Sequence, residues 1–137
     1  MHIEDITQSL VSYLSGIEDA TTMSIADFNA ARPENVVVVD CRQVNQLNQG
    51  CGVPDYEVVG TIVVDSMISE DRDATTFNAI GNEVFRRIVA IADHDVNLEA
   101  VFSTSQCVVA FFYDRSDVSL LEHSNRAVLN VRIIVSE

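Results

Sequence analysis

Apolar and polar residues alternate from Tyr56 to Asp65. Tyr56, Val58, Ile62 and Val64 fall on one side and Asp55, Glu57, Thr61 and Asp65 on the other, interrupted by Val59 and Val63. A period of two predicts a strand with one face on a core and the other largely wet. This one is about twice the usual strand length of roughly five or six residues. A strand so long projects beyond its own domain, and the overhang is a first sign of assembly.

Two helical stripes flank it. Ile3, Ile6, Leu10, Tyr13, Leu14 and Ile17 recur at helical spacing, with Gly16 near the natural end and Glu4 and Asp5 at the positive end of the dipole. Such a helix can cover its own sheet or dock on another subunit. The second stripe is Phe77, Ile80, Val84, Ile88 and Ile91, thickened by Phe85, with Asp73 as the expected N-cap and Glu83 four residues before Arg87 as an expected ion pair. Gly81 inside this helix costs about 1 kcal/mol relative to alanine, and a close approach to the sheet is the expected reason.

The remaining segments read as follows. Ser24 and Asp27 have the form of a capping box for a short helical turn closed by Pro33, and Val36 to Arg42 is a β-branched strand. Residues 43–53 read as a long hairpin loop, polar through amides, in which Gln46 and Asn48 either lie on a neighbouring subunit or are simply solvated. Residues 69–73 are a turn. Leu98 to Ser103 is expected as a short strand, Cys107 to Tyr113, apolar on both faces, as a central strand, and 114–125 as a charged connection with room for a helical turn. The last strand sets Ala127, Leu129, Val131, Ile133 and Val135 against Arg126, Val128, Asn130, Arg132 and Ile134. Together these predict a single domain over 1–137. The fold class is α+β: one mostly antiparallel four- to five-stranded sheet with two main helices packed on one face.

Charge narrows the function. The net charge is −13, and all eight basic residues are arginine. An acidic surface argues against gripping nucleic acid, which requires cations on phosphate, but suits a surface that DNA must pass without sticking. No apolar run approaches the ~20 residues of a membrane span. The acidic Met1–Asp5 start lacks the form of a signal peptide, so the expectation is a protein that stays in the cytosol unless it leaves within a larger particle. The three cysteines, Cys41, Cys51 and Cys107, have no C-x-x-C spacing and predict neither a disulfide framework nor a zinc site.

Catalytic signatures are missing. The chain has no phosphate-cradling glycine loop and no G-x-S-x-G elbow. Val36 to Arg42 resembles the strand-Asp-x-Arg of rhodanese domains, but Cys107 is followed by Val-Val-Ala-Phe-Phe where a rhodanese needs an arginine-rich loop. Asp93-His94-Asp95 are adjacent residues that regular structure cannot aim at one ion, so His94 is read as a helix-end cation when protonated. Asp40 and Asp65 are expected to face water. Neither an enzyme nor a cofactor nor a metal is expected.

One resemblance remains. Arg32-Pro33-Glu34-Asn35 leads into Val36–Val39, Pro54-Asp55-Tyr56-Glu57-Val58 opens the long strand, and Asn125-Arg126-Ala127-Val128-Leu129-Asn130-Val131-Arg132-Ile133 closes the chain. With the order helix, strand, long hairpin, strand, helix and further strands, the chain resembles the tail-terminator, or tail-completion, proteins of long-tailed bacteriophages, which include the minor tail protein U group. The resemblance implies a homo-oligomeric, hexameric ring in the virion neck, assembled in the host cytoplasm. Such a ring caps the tail tube protein and meets the head–tail connector protein, with DNA only passing through the lumen and no catalysis or cofactor. The absence of lysine and the amide-rich loop depart from that pattern. The candidate subunit contacts are Asp71, Arg72, Arg86, Arg87, Arg115 and Asp117, with Gln46 and Asn48 from the loop, because arginine makes directional pairs with carboxylates. The rivals are another neck component, such as a stopper or head-closure ring, and a small intracellular enzyme or ligand-binding domain with a pocket under the 43–53 loop.

Overall fold

The computed structural model describes residues 3–30, 33–47, 55–67, 74–102, 107–120 and 124–136. Its elements are α1 (Ile3–Tyr13), β1 (Thr21–Ser24), α2 (Ile25–Ala30), β2 (Asn35–Gln46), β3 (Asp55–Met67), α3 (Thr75–Ala92), α4 (Leu98–Val101), β4 (Cys107–Leu120) and β5 (Ser124–Ser136). The fold is α+β, with a mixed sheet in the order β1-β2-β3-β5-β4. β1 runs parallel to β2, and the other three pairings are antiparallel.

The alternation along β3 and β5 decides where the core lies. Val58, Ile62 and Val64 pair with Ile133, Leu129 and Ala127, and the face they share with Val37, Val39, Val131 and Val135 is buried. Ile6, Leu10 and Leu14 of α1 and Phe77, Ile80, Val84, Ile88 and Ile91 of α3 join the same cluster. A helical period of 3.6 laid on a strand period of two thus produces one core from two helices and one sheet face.

Helix ends are closed by identifiable partners. The carbonyl of Leu14, just past α1, accepts from Thr22 Oγ1 at 2.8 Å, and Gly16, at φ 75°, turns the chain. Arg87 of α3 donates through Nη1 to the carbonyls of Tyr13 (3.1 Å) and Ser15 (2.8 Å), while Tyr13 Oη donates back to the Arg87 carbonyl at 2.7 Å. α1 has no basic residue in its own last turn, so the cation its negative end favours comes from another helix. α3 ends in a Schellman motif: His94, at φ 61°, donates to the Ile91 carbonyl and Asp95 to that of Ala90. His94 is therefore placed by a backbone requirement.

Several expectations are corrected. Leu98–Val101 is a helical turn where a strand is expected, because Asn97 accepts from the Glu99 amide and caps a run opened by the good helix formers Leu98, Glu99 and Ala100. The stretch 114–125 reads as a connection, yet β4 continues to Leu120, paired with Asn125. The short segment from Thr21 to Ser24 is a strand, and the hydrogen bond from the Asp27 amide to Ser24 Oγ (3.4 Å) starts α2 directly after it. α2 ends at Ala30, ahead of Pro33. β2 extends to Gln46, so the expected 43–53 loop begins later, and residues 48–54 lie outside the described part. The N-cap position of α3 is Ala74, at φ 60° without a side-chain cap, rather than Asp73. Asp40 is buried against Arg42, and Asp65 is paired with Arg126, so neither carboxylate stands free in water.

Glycine supplies a prediction. A Cβ on Gly60 would stand 2.9 Å from the Asp40 carbonyl oxygen and 3.0 Å from Cys41 Sγ, whereas one on Gly81 would meet nothing within 4 Å. The close approach expected at Gly81 occurs at Gly60 instead, beside the β2 bulge between Cys41 and Gln43. Gly60→Ala is expected to lower stability by about 1–3 kcal/mol, since backbone must shift. Gly81→Ala is expected to raise it by roughly 0.4–1 kcal/mol. Urea midpoints, at unchanged m-value, read both.

Candidate functional site

β4 is the outer strand of the sheet. Cys107 to Tyr113 is expected to be central because it is apolar on both faces, but among the described residues only one of its flanks is paired. Val109 is 49% exposed, Phe112 47% and Tyr113 36%. Two bulges break its register against β5, between Val108 and Ala110 and between Arg115 and Asp117. A long edge strand is a template for pairing with another chain, and bulges aim its side chains and limit indiscriminate pairing.

The sheet face away from the core continues this surface. The buried Val36 and Val38 sit at its β2 end, where α2 contacts β2. Farther along, half-buried Val59 and Val63 of β3 and Val128 and Ile134 of β5 alternate with ion pairs. Arg126 donates to Asp65 Oδ2 from Nε at 3.1 Å and Nη2 at 3.0 Å, directly across β3 and β5, and Arg132 lies 3.5 Å from Glu57. The Arg132 guanidinium also stacks 4.6 Å from the Phe112 ring centroid, its cross-strand partner. A cation on a ring face holds the ring in place at the edge. On the core side, Tyr113 meets Phe85 of α3 edge-on at 5.6 Å. Both exposed rings are thus braced from within.

The sequence-predicted contact residues fall in several places. Asp71, Arg72 and Asn48 lie outside the described residues. Arg115 and Asp117 are on β4, flanking its second bulge, and only their backbone is described. Gln46 is exposed at the end of β2. Arg86 is exposed and bonded to Glu83, at 3.0 and 2.5 Å, whereas Arg87 joins Glu83 at 2.9 Å and holds the end of α1. Arg87 therefore serves a contact between helices of its own chain. Residue counting missed Val109, Phe112 and Tyr113, because an apolar run fits a buried strand and a partner-covered edge equally well.

Two arginines on one carboxylate shift its titration. The hydrogen bonds from Arg86 and then Arg87 hold Glu83 down to about 2, from an ordinary 4.5. A depressed carboxylate contributes stability that is complete above the unfolded value and is lost as pH falls through the folded one. The expected window is thus pH 4.5 down to about 2, and solvent and salt weaken the effect at this exposed site. Glu83→Gln is expected to flatten the stability curve within that window, with the difference shrinking in high salt, as read by urea melts at stepped pH.

Other features offer less chemistry. Burial pushes the Cys41 thiol up, which makes it a poorer nucleophile, and burial likewise raises Tyr13. A notch of about 60 Å³ between α3 and the sheet is lined by Ile62, Val64 and Leu129 of the strands and by Phe77, Asn78 and Asn82 of α3. Among the described residues no group of three or more potential metal ligands converges, and no helix is long and apolar enough to cross a membrane. Compared with known proteins, the chain matches no family model and no curated protein.

Proposed function

We propose that this chain is a structural subunit that joins copies of itself into a closed ring, and that the ring is the tail terminator of a long-tailed bacteriophage. The exposed apolar stretch Val109, Phe112 and Tyr113, on a strand that is the sheet's edge among the described residues, carries the reading. Edges of that length and composition are normally covered, and a chain that keeps one uncovered has a use for it. Two further features support it. The order α1, β2, β3, α3, β4, β5, with β1 and α2 added before β2 and α4 before β4, is compatible with the one on which the resemblance rests, and an acidic chain repeated around a lumen lets DNA slide by repulsion. On this reading the ring has six subunits, sits in the virion neck, meets the tail tube on one side and the head connector on the other, and performs no catalysis.

Size-exclusion chromatography with light scattering, alone and with purified tails, tests the proposal, followed by negative-stain imaging. The expected result is a ring near six subunits that binds tails. A ring that binds heads in preference to tails would move the chain to the head-closure side of the neck. A lasting monomer that ignores both and takes up a small molecule would end the proposal.

A further inference from the structure

Among the described residues the sheet has a second open edge, and the two edges match. β1 accompanies β2 only from Val36 to Val39. From Asp40 onward no other described strand lies along that side of β2. This edge also exposes apolar residues, Val44 at 42% and Leu47 just beyond the strand at 47%.

The registers put both edges at one level. Val44 stands opposite Val58, Val58 opposite Ile133, and Ile133 opposite Phe111; likewise Asp40, Thr61, Asn130 and Asp114 form one row. The uncovered part of β2 is therefore level with the exposed apolar part of β4. Three successive antiparallel pairings separate the strands, so β4 runs opposite to β2. A copy moved sideways along the sheet would present its β2 antiparallel to β4 with the pleats in step. Charge agrees with this. Arg42, the residue skipped at the β2 bulge between the levels of Tyr113 and Phe112, has a side chain 74% exposed that leans back to Asp40, and Asp40 is level with exposed Asp114 on the opposite edge.

We infer that the β4 edge of one copy adds to the Asp40–Val44 edge of the next, continuing one antiparallel sheet from subunit to subunit, with Arg42 facing Asp114 across the junction. This rests on the ring reading above and specifies its contact. Because the two edges differ, the contact is head-to-tail: each copy uses one edge and offers the other, so the chain of contacts ends only by closing on itself. Pairing of β4 with another β4 would stop at a dimer and leave β2 bare.

A photo-crosslinking benzoylphenylalanine at position 112, in an equal mixture of isotopically heavy and light full-length chains, identifies the neighbour by mass spectrometry. Adducts to residues 40–47 of another copy are expected. Charge reversal supplies a second measure: Asp114→Arg and Arg42→Asp should each raise the concentration needed for assembly at least tenfold, and mixing the two variants should restore it. Such rescue is possible only for a contact between unlike edges. The crosslink decides the matter by itself if Arg42→Asp misfolds beside Asp40. Oligomers whose adducts fall on β4 or elsewhere overturn this contact while leaving the ring standing. A chain that stays monomeric at every concentration, with and without tails, overturns contact and ring together.

Discussion

Phe112→Asp is expected to abolish self-assembly while leaving the monomer folded. The ring of Phe112 is 47% exposed and rests on Arg132 at the sheet edge. Removing it costs the fold only the stacking, about 0.5–1 kcal/mol at an exposed site. At an interface centre, a buried aromatic is the kind of residue whose loss costs ~2 kcal/mol or more per contact, roughly thirty-fold in each pairwise constant. Aspartate adds a charge that the covered interface would have to desolvate. A ring repeats the contact at every junction, so the penalty compounds. Light scattering should find monomer where the parent chain is oligomeric, with a melting temperature within a few degrees of the parent. An unchanged oligomer would remove β4 from the interface, and a collapsed melting temperature would make Phe112 a residue of the fold.

Much of this fold is legible in the sequence where one physical demand acts alone. The α1 and α3 stripes and the alternation of β3 and β5 each reflect burial on one side, and the inward residues are those the periods select. Legibility fails where two demands produce one pattern. Cys107 to Tyr113 is apolar on both faces, which burial and an uncovered edge both explain, and only the strand order separates them. Leu98–Val101 carries no period long enough to oppose its local capping by Asn97, and so becomes a helical turn. The Gly60 contact with Cys41 lies between strands and has no local signature, while Gly81 looks more conspicuous in its helix and touches nothing. The candidate site was less legible still. Arginines draw attention as directional donors, yet Arg87 holds the end of α1 and Arg126 and Arg132 pair within the sheet, whereas the exposed surface is made by residues that read as core.

The two faces of β5 give the sharpest test of this reading. Ile133 is wholly buried, set between Val58 and Phe111 on the core face, while its neighbour Ile134 is half-buried on the other face. Ile133→Ala is expected to destabilise the chain by about 2–5 kcal/mol, because a central position between two neighbouring strands cannot collapse around the void. Ile134→Ala should cost under about 1 kcal/mol in the monomer, because there is less surface to return to water. A one-residue slip of β5 would exchange these values, since strand side chains repeat every second residue. Urea unfolding at matched concentration reads both. If the two substitutions cost the same, the sheet is covered on both faces, and the open face on which Phe112 rests against Arg132 does not exist.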